Sequence, residues 1–268
     1  SYLPSNVWQL PPGIDSDDPP ERAEEALLEI IPRDRRKIYD ARRLVKLVVD
    51  RESLFELTPH FGRSQITGLA RLAGRAIGVL ANDTRFYAGA MTAHGAQKVR
   101  RFVDLCDTFH LPMVSFVDEP GFMIGLDAER AATIRHGTAA WFAVQQSSVP
   151  WASVIVRKAY GVAAAAPFGP EGLVLRWPSA EGGALPLEGG VAVAFRREIA
   201  AAEDPAALRA ELEEQFAARR TPFPRAEGFS VNDLIDPRQT RRTLCDWMEW
   251  TRSSLEQQLG PRSYSFRP

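Results

Sequence analysis

Two periods of apolar residues alternate along the chain. Runs of β-branched and small apolar residues at Ile66–Leu72 and Ala76–Asn82, joined through Gly74, predict two strands and a glycine turn. Val99, Phe102, Val103, Cys106 and Phe109 then recur at helical spacing, with Lys98, Arg100, Arg101, Asp104 and Asp107 opposite them. That pattern predicts an amphipathic helix stopped by Pro112. Met113–Val117 reads as a buried strand running into the turn Asp118-Glu119-Pro120-Gly121-Phe122. A second helix is expected from about Ala128 to Gln146, anchored by Ile134, Ala139, Trp141 and Phe142. Val154-Ile155-Val156 is the next buried strand, followed by a sharp turn at Gly161 and the start of a small-residue helix over the alanines 163–166.

The flanks are less regular. Residues 1–24 are rich in proline and acidic residues and predict an extended lead-in or linker, leaving 25–268 as the domain. Short helices are expected at Ala23–Ile31 and Asp40–Val49, the latter with Leu44, Val45 and Val48 on one face. Leu173–Leu175 predicts a strand and Val191–Phe195 a short helix. Asp204-Pro205 caps a helix whose buried stripe is Leu208, Leu212 and Phe216. Leu244, Trp247, Met248, Thr251 and Leu255 mark the last helix. Successive strand-strand-helix units argue for an α/β spiral in one domain with a helical C-terminal extension.

The 268 residues are 45% hydrophobic, enough for a sizeable core. Formal net charge is -1, from 33 basic and 34 acidic residues, so there is no broad electrostatic case for nucleic acid. Arginines cluster at 33–36, 196–197, 219–220 and 241–242, each with acidic neighbours, and read as solvated faces or subunit contacts. Cys106 and Cys245 offer no disulfide framework, which fits a reducing cytoplasm, and Cys106 reads as a core thiol. No apolar run approaches membrane-spanning length. Ser1-Tyr2-Leu3-Pro4 is not a signal peptide and lacks an initiator methionine, as expected of a processed product or a fragment.

Candidate chemistry is sparse. His60, His94, His110 and His136 form no pair at metal-ligand spacing, so no metal site is expected. No G-x-S-x-G elbow is present. Asp118 and Glu119 follow a buried strand, where they serve either direct chemistry or loop capping. The glycine-rich pieces at 181–183 and 188–190 match no phosphate loop. What remains is the turn after Tyr160. A turn feeding a helix exposes unpaired N–H groups that suit a developing oxyanion, although a tight turn with no chemistry has the same composition.

The residues do carry a resemblance. In fixed order the chain contains Tyr2-Leu3-Pro4-Ser5-Asn6, Gly78-Val79-Leu80-Ala81-Asn82, Phe116-Val117-Asp118-Glu119-Pro120-Gly121-Phe122, Ile134-Arg135-His136-Gly137, Arg157-Lys158-Ala159-Tyr160-Gly161 and Trp177-Pro178-Ser179-Ala180-Glu181. With these it resembles the C-terminal domain of the carboxyltransferase (β) subunit of biotin-dependent acyl-CoA carboxylases, the family of propionyl-CoA carboxylase, methylmalonyl-CoA decarboxylase and transcarboxylase subunits. The resemblance implies a crotonase-like spiral of ββα units and about half of a full subunit. It implies an active site shared with the N-terminal domain of another subunit, which holds most of the CoA thioester. Biotin would arrive on a carrier protein, charged by a biotin carboxylase, within a homo- or hetero-oligomer.

By the same resemblance, the main-chain N–H groups of Val162 and Ala163, set by the turn at Gly161, are the oxyanion hole for the ureido oxygen of biotin. Tyr160, Ala164, Ala165 and Phe122 would contact substrate. Val162 departs from the family's second glycine, and a positive φ there would be strained. Ala164-Ala165 replaces Tyr-Asp and implies a roomier pocket. The expected function is therefore the biotin-side half of an acyl-CoA carboxyltransferase. The alternatives are a catalytically inactive assembly module of a carboxylase complex and, more weakly supported, a stand-alone crotonase-type CoA enzyme.

Overall fold

The computed structural model describes residues 2–170, 172–219, 222–228 and 230–264; Ser1 and Arg220, named above, lie outside them. The lead-in of residues 2–24 forms no helix or strand and is clasped to the domain. Ile14 N–H donates to the Gly74 carbonyl at 3.1 Å, and Gly260 N–H to Val7 at 2.8 Å. The helix expected at Ala23–Ile31 is only a 3-10 turn, Glu25–Leu28, closed off before Pro32. Helix α1 (Ala41–Val48) is capped by the Asp40 carboxylate, which accepts from Arg42 N–H and Arg43 N–H, and it buries Leu44, Val45 and Val48.

A mixed sheet follows. β1 (Phe55–Leu57), β2 (Gln65–Leu72) and β3 (Arg75–Asn82) are antiparallel neighbours, with the expected tight turn between β2 and β3. Helix α2 (Ala93–Thr108), capped by Thr92, crosses to β4 (Met113–Glu119), which lies parallel to β3. The next helical stretch breaks in two, α3 (Leu126–Arg130) and α4 (Thr133–Gln146), because Ala132 takes a left-handed conformation with φ 53°. β5 (Trp151–Tyr160) pairs parallel to β4, then to β6 (Leu173–Arg176) and β7 (Glu181–Gly183).

The C-terminal extension is helical: α5 (Leu187–Ala194), α6 (Arg196–Ala201), α7 (Pro205–Arg219) and α8 (Phe223–Glu227). After it come β8 (Asp233–Leu234), beside β6, and α9 (Thr240–Gln257). Asp204 caps α7 as predicted. Its stripe of Leu208, Leu212 and Phe216 is only half-buried, because α7 packs on α5 and α6 outside the main core.

Both sheet faces are covered, which explains why β2 to β5 are almost continuously buried instead of alternating. On one face Leu44, Val48, Ile66, Ile77, Val154 and Trp177 meet Leu244 and Trp247 of α9. On the other, Val99, Phe102 and Cys106 of α2 pack with Ala140 and Val144 of α4 against Met113 and Trp151. Each large side chain buried here contributes about 1.5–3 kcal/mol. Arg241, expected on a solvated face or at a subunit contact, is instead fully buried within the chain. It bonds Asp50 at 2.8 Å and the carbonyls of Asp18, Pro19 and Val48, pinning the lead-in to α9.

Candidate active site

The parallel strands β3, β4 and β5 end together, and the loops leaving them frame the site. At the end of β5 the register against β4 shifts between Val117 and Glu119. That bulge seats the Arg157 guanidinium on Asp118: Nε and Nη2 reach Oδ2 at 2.9 and 2.8 Å, and Lys158 N–H reaches Oδ1 at 3.1 Å. Both side chains are buried, so this pair fastens the strand ends and offers no group to a substrate. Glu119, also buried, accepts only from neutral N–H donors. Of the two readings of Asp118 and Glu119, the geometry is that of loop anchoring.

β5 then turns. Gly161 takes φ 62°, ψ -163°, a conformation open essentially to glycine alone, and its N–H bonds the Gly183 carbonyl at 3.0 Å. The positive φ thus falls on Gly161, and Val162 enters a right-handed 3-10 turn, Val162–Ala165, without strain. This corrects two expectations: the penalty at Val162 does not arise, and the alanines make a single 3-10 turn in place of an α-helix start. The first N–H groups of such a turn have no partner within it. Among the described residues neither Val162 N–H nor Ala163 N–H meets an acceptor.

Both residues line a cavity of about 560 Å³. Its walls include Tyr160 and Gly161 from the turn, Phe122 from the loop after β4, Trp141 of α4 and Leu185. No charged residue is among the described lining residues, and an apolar surround of this kind strengthens any amide dipole that faces into it. The Phe122 ring lies across α4 at Gly137, where even a β-carbon would come within 2.2 Å of it.

Of the sequence-predicted residues, Phe122, Tyr160, Gly161, Val162 and Ala163 come together on this cavity; Ala164 and Ala165 do not line it. Ile134 and Trp141, expected as core anchors of a helix, are 54% and 40% exposed and form cavity wall instead. Ile124 and Leu185 escaped sequence reasoning; lone apolar residues in loops carry no period that would single them out. A larger cleft of about 720 Å³ lies between the lead-in and α9 and holds none of the predicted residues. Among the described residues no group of three or more His, Cys, Asp or Glu could hold a metal ion.

The sequence and the fold have counterparts among known proteins. The carboxyl transferase domain model matches residues 1–262. The propionyl-CoA carboxylase carboxyltransferase subunit of Haloferax mediterranei is 36% identical over 263 residues, covering 96% of this chain and 51% of that protein. The methylmalonyl-CoA carboxyltransferase 12S subunit of Propionibacterium freudenreichii subsp. shermanii is 36% identical over 253 residues, covering 93% of this chain and 48% of the relative. A solved transcarboxylase 12S hexamer, with methylmalonyl-CoA and methylmalonic acid bound, superposes with a TM-score of 0.88 at 33% identity over 100% of this chain and 51% of its own. The chain thus spans about half the length of the curated relatives it matches. A match over nearly every residue, joined to a crotonase-like α/β fold, shows that this chain belongs to the carboxyl transferase domain family.

Proposed function

We propose that this chain is the biotin-side half of an acyl-CoA carboxyltransferase, moving a carboxyl group between biotin on a carrier protein and a CoA thioester. It would be complete only beside an N-terminal carboxyltransferase domain. The observation that carries the reading is the pair of adjacent unpartnered amides, Val162 N–H and Ala163 N–H, on an apolar cavity at the strand ends. Biotin, when bound, supplies the ureido group that carries carbon dioxide, and the residues present suit it. Apolar walls from Phe122, Trp141 and Tyr160 would enclose the bicyclic ring, and the two amides would receive the ureido oxygen as negative charge gathers on it. These donors are held by the backbone, so they need no reorganisation during the reaction. No side-chain nucleophile is required, because transfer between two positioned partners gains its rate from proximity.

The acyl-CoA side is assigned to the absent half because the relatives are about twice as long as this chain. Two buried free thiols and the lack, among the described residues, of any helix long and apolar enough to cross a membrane suit a cytoplasmic carboxylase complex. Mixing the chain with the N-terminal half of its own enzyme, methylmalonyl-CoA and free biotin tests the reading. Biotin-dependent decarboxylation or transfer is expected from the pair and from neither half alone. Turnover by this chain alone would contradict the half-site. A stable pair that stays inert would favour the assembly module, a reading weakened by the unstrained Val162.

A further inference from the structure

Glu119 ends β4 with its side chain fully buried and with no cation against it, since the neighbouring Asp118 takes Arg157. Oε1 accepts from Met91 N–H at 3.1 Å and Gly121 N–H at 3.2 Å. Oε2 accepts from the Asn82 amide at 3.0 Å and the Gln65 amide at 3.4 Å, and those two amides also hold the Gly89 carbonyl, at 3.1 and 3.2 Å. The other charged group nearby, Lys98, stops at the Gln65 carbonyl, 2.8 Å away. A buried carboxyl without a counter-charge is costly, and an apolar side chain of similar shape is often at least as stable in such a place. Stability alone therefore does not account for an acid here.

What the carboxyl does is join two loops. Segment 89–91 and the turn 119–122 are bridged at Met91 and Phe122: Met91 N–H also donates to the Gly121 carbonyl at 3.0 Å, and Met123 N–H to the Met91 carbonyl at 2.9 Å. Phe122, carried by this bridge, is the ring that walls the cavity against α4. We propose that Glu119 is a positioning residue whose Oε1 brackets the Met91 and Gly121 amides and thereby fixes the Phe122 wall of the biotin cavity. The functional consequence rests on the carboxyltransferase reading, whereas the bracket itself does not. A proton added at Oε2 leaves Oε1 an acceptor once the Gln65 amide, held at only 3.4 Å, turns its oxygen to receive that proton. The bracket then survives in either charge state, and a glutamine at 119 makes the same demand while its oxygen takes the place of Oε1.

The test compares Glu119→Gln with Glu119→Val in the full chain, alone and paired with the N-terminal half. In the chain alone, Glu119→Val is expected to raise hydrogen exchange at the Gly121 and Met91 amides about tenfold over the flanking β4 amides, with the melting temperature held or raised; Glu119→Gln leaves exchange near wild type. In the pair, Glu119→Val raises the KM for free biotin about tenfold with kcat within about threefold, and Glu119→Gln restores it. Unchanged exchange in Glu119→Val, or equal losses in both variants, overturns the bracket. The exchange measurement stands even if the pair shows no carboxyl transfer, so failure of the functional reading is separable from failure of the inference.

Discussion

At the scale of single residues, the proposed chemistry lies on the main chain, whereas the electrostatic tension lies one strand away, at the end of β4. Burial pushes the Glu119 carboxyl up to about 8 against an ordinary 4.5, opposed only partly by its N–H donors. The folded chain therefore keeps a proton that the unfolded chain releases near pH 4.5. Stability contributed by the neutral form is complete below about pH 4.5 and is lost as pH rises through about 8. Denaturant titrations of wild type and Glu119→Gln should show the wild type losing stability relative to the variant between pH 5 and 8, with the difference levelling above that. A parallel pair of curves would contradict the assignment. Burial also raises the Cys106 thiol well above its usual range, which agrees with an inert core role.

At the scale of elements, the cavity depends on how closely α4 approaches the loop after β4. Gly137 is the contact point. An alanine there would ordinarily favour a helix by about 1 kcal/mol. Here its β-carbon would lie 2.2 Å from the Phe122 ring, so Gly137→Ala is expected to displace Phe122 into the cavity and weaken biotin binding without raising the melting temperature. A more stable variant with unchanged biotin KM would show that the ring moves freely.

Elements with strong periods were legible in the sequence: β2, β3, β4, α2 and α9 follow from apolar spacing, and the cap at Asp204 from residue type. The α3–α4 break was not, because Ala132 gives no local sign of a left-handed backbone. Ile134 and Trp141 were misread as core for a related reason. A helical stripe that lines a cavity has the same spacing as one that fills a core. The turn after Tyr160 was legible in type, whereas which residue would bear the positive φ was not, since glycine at 161 and valine at 162 left the rotation to be settled by pairing with Gly183.

At the scale of the whole molecule, the sheet gathers three strand ends into one edge, and apolar groups surround the cavity there. Val162 is 76% exposed and Ile124 85%. These exposed apolar residues border the cavity, and the proposal of a site completed by a second domain predicts that such a domain covers them. Sequence resemblance reached the family and the fold because the motifs on the strand-end loops stand in order along the chain, while the cavity itself emerges only when those loops fold together.

The central claim, that two main-chain amides stabilise charge in transfer, is tested most directly by removing one of them. Val162 begins a 3-10 turn, a position whose ordinary φ suits proline, and its N–H is unpartnered, so Val162→Pro deletes the donor; Gly161 before it has ψ -163°, outside the α region that a following proline disfavours. In the paired enzyme the account predicts a fall in kcat for carboxyl transfer of about two to three orders of magnitude with the melting temperature nearly unchanged. A folded Val162→Pro enzyme turning over within about threefold of wild type would contradict it.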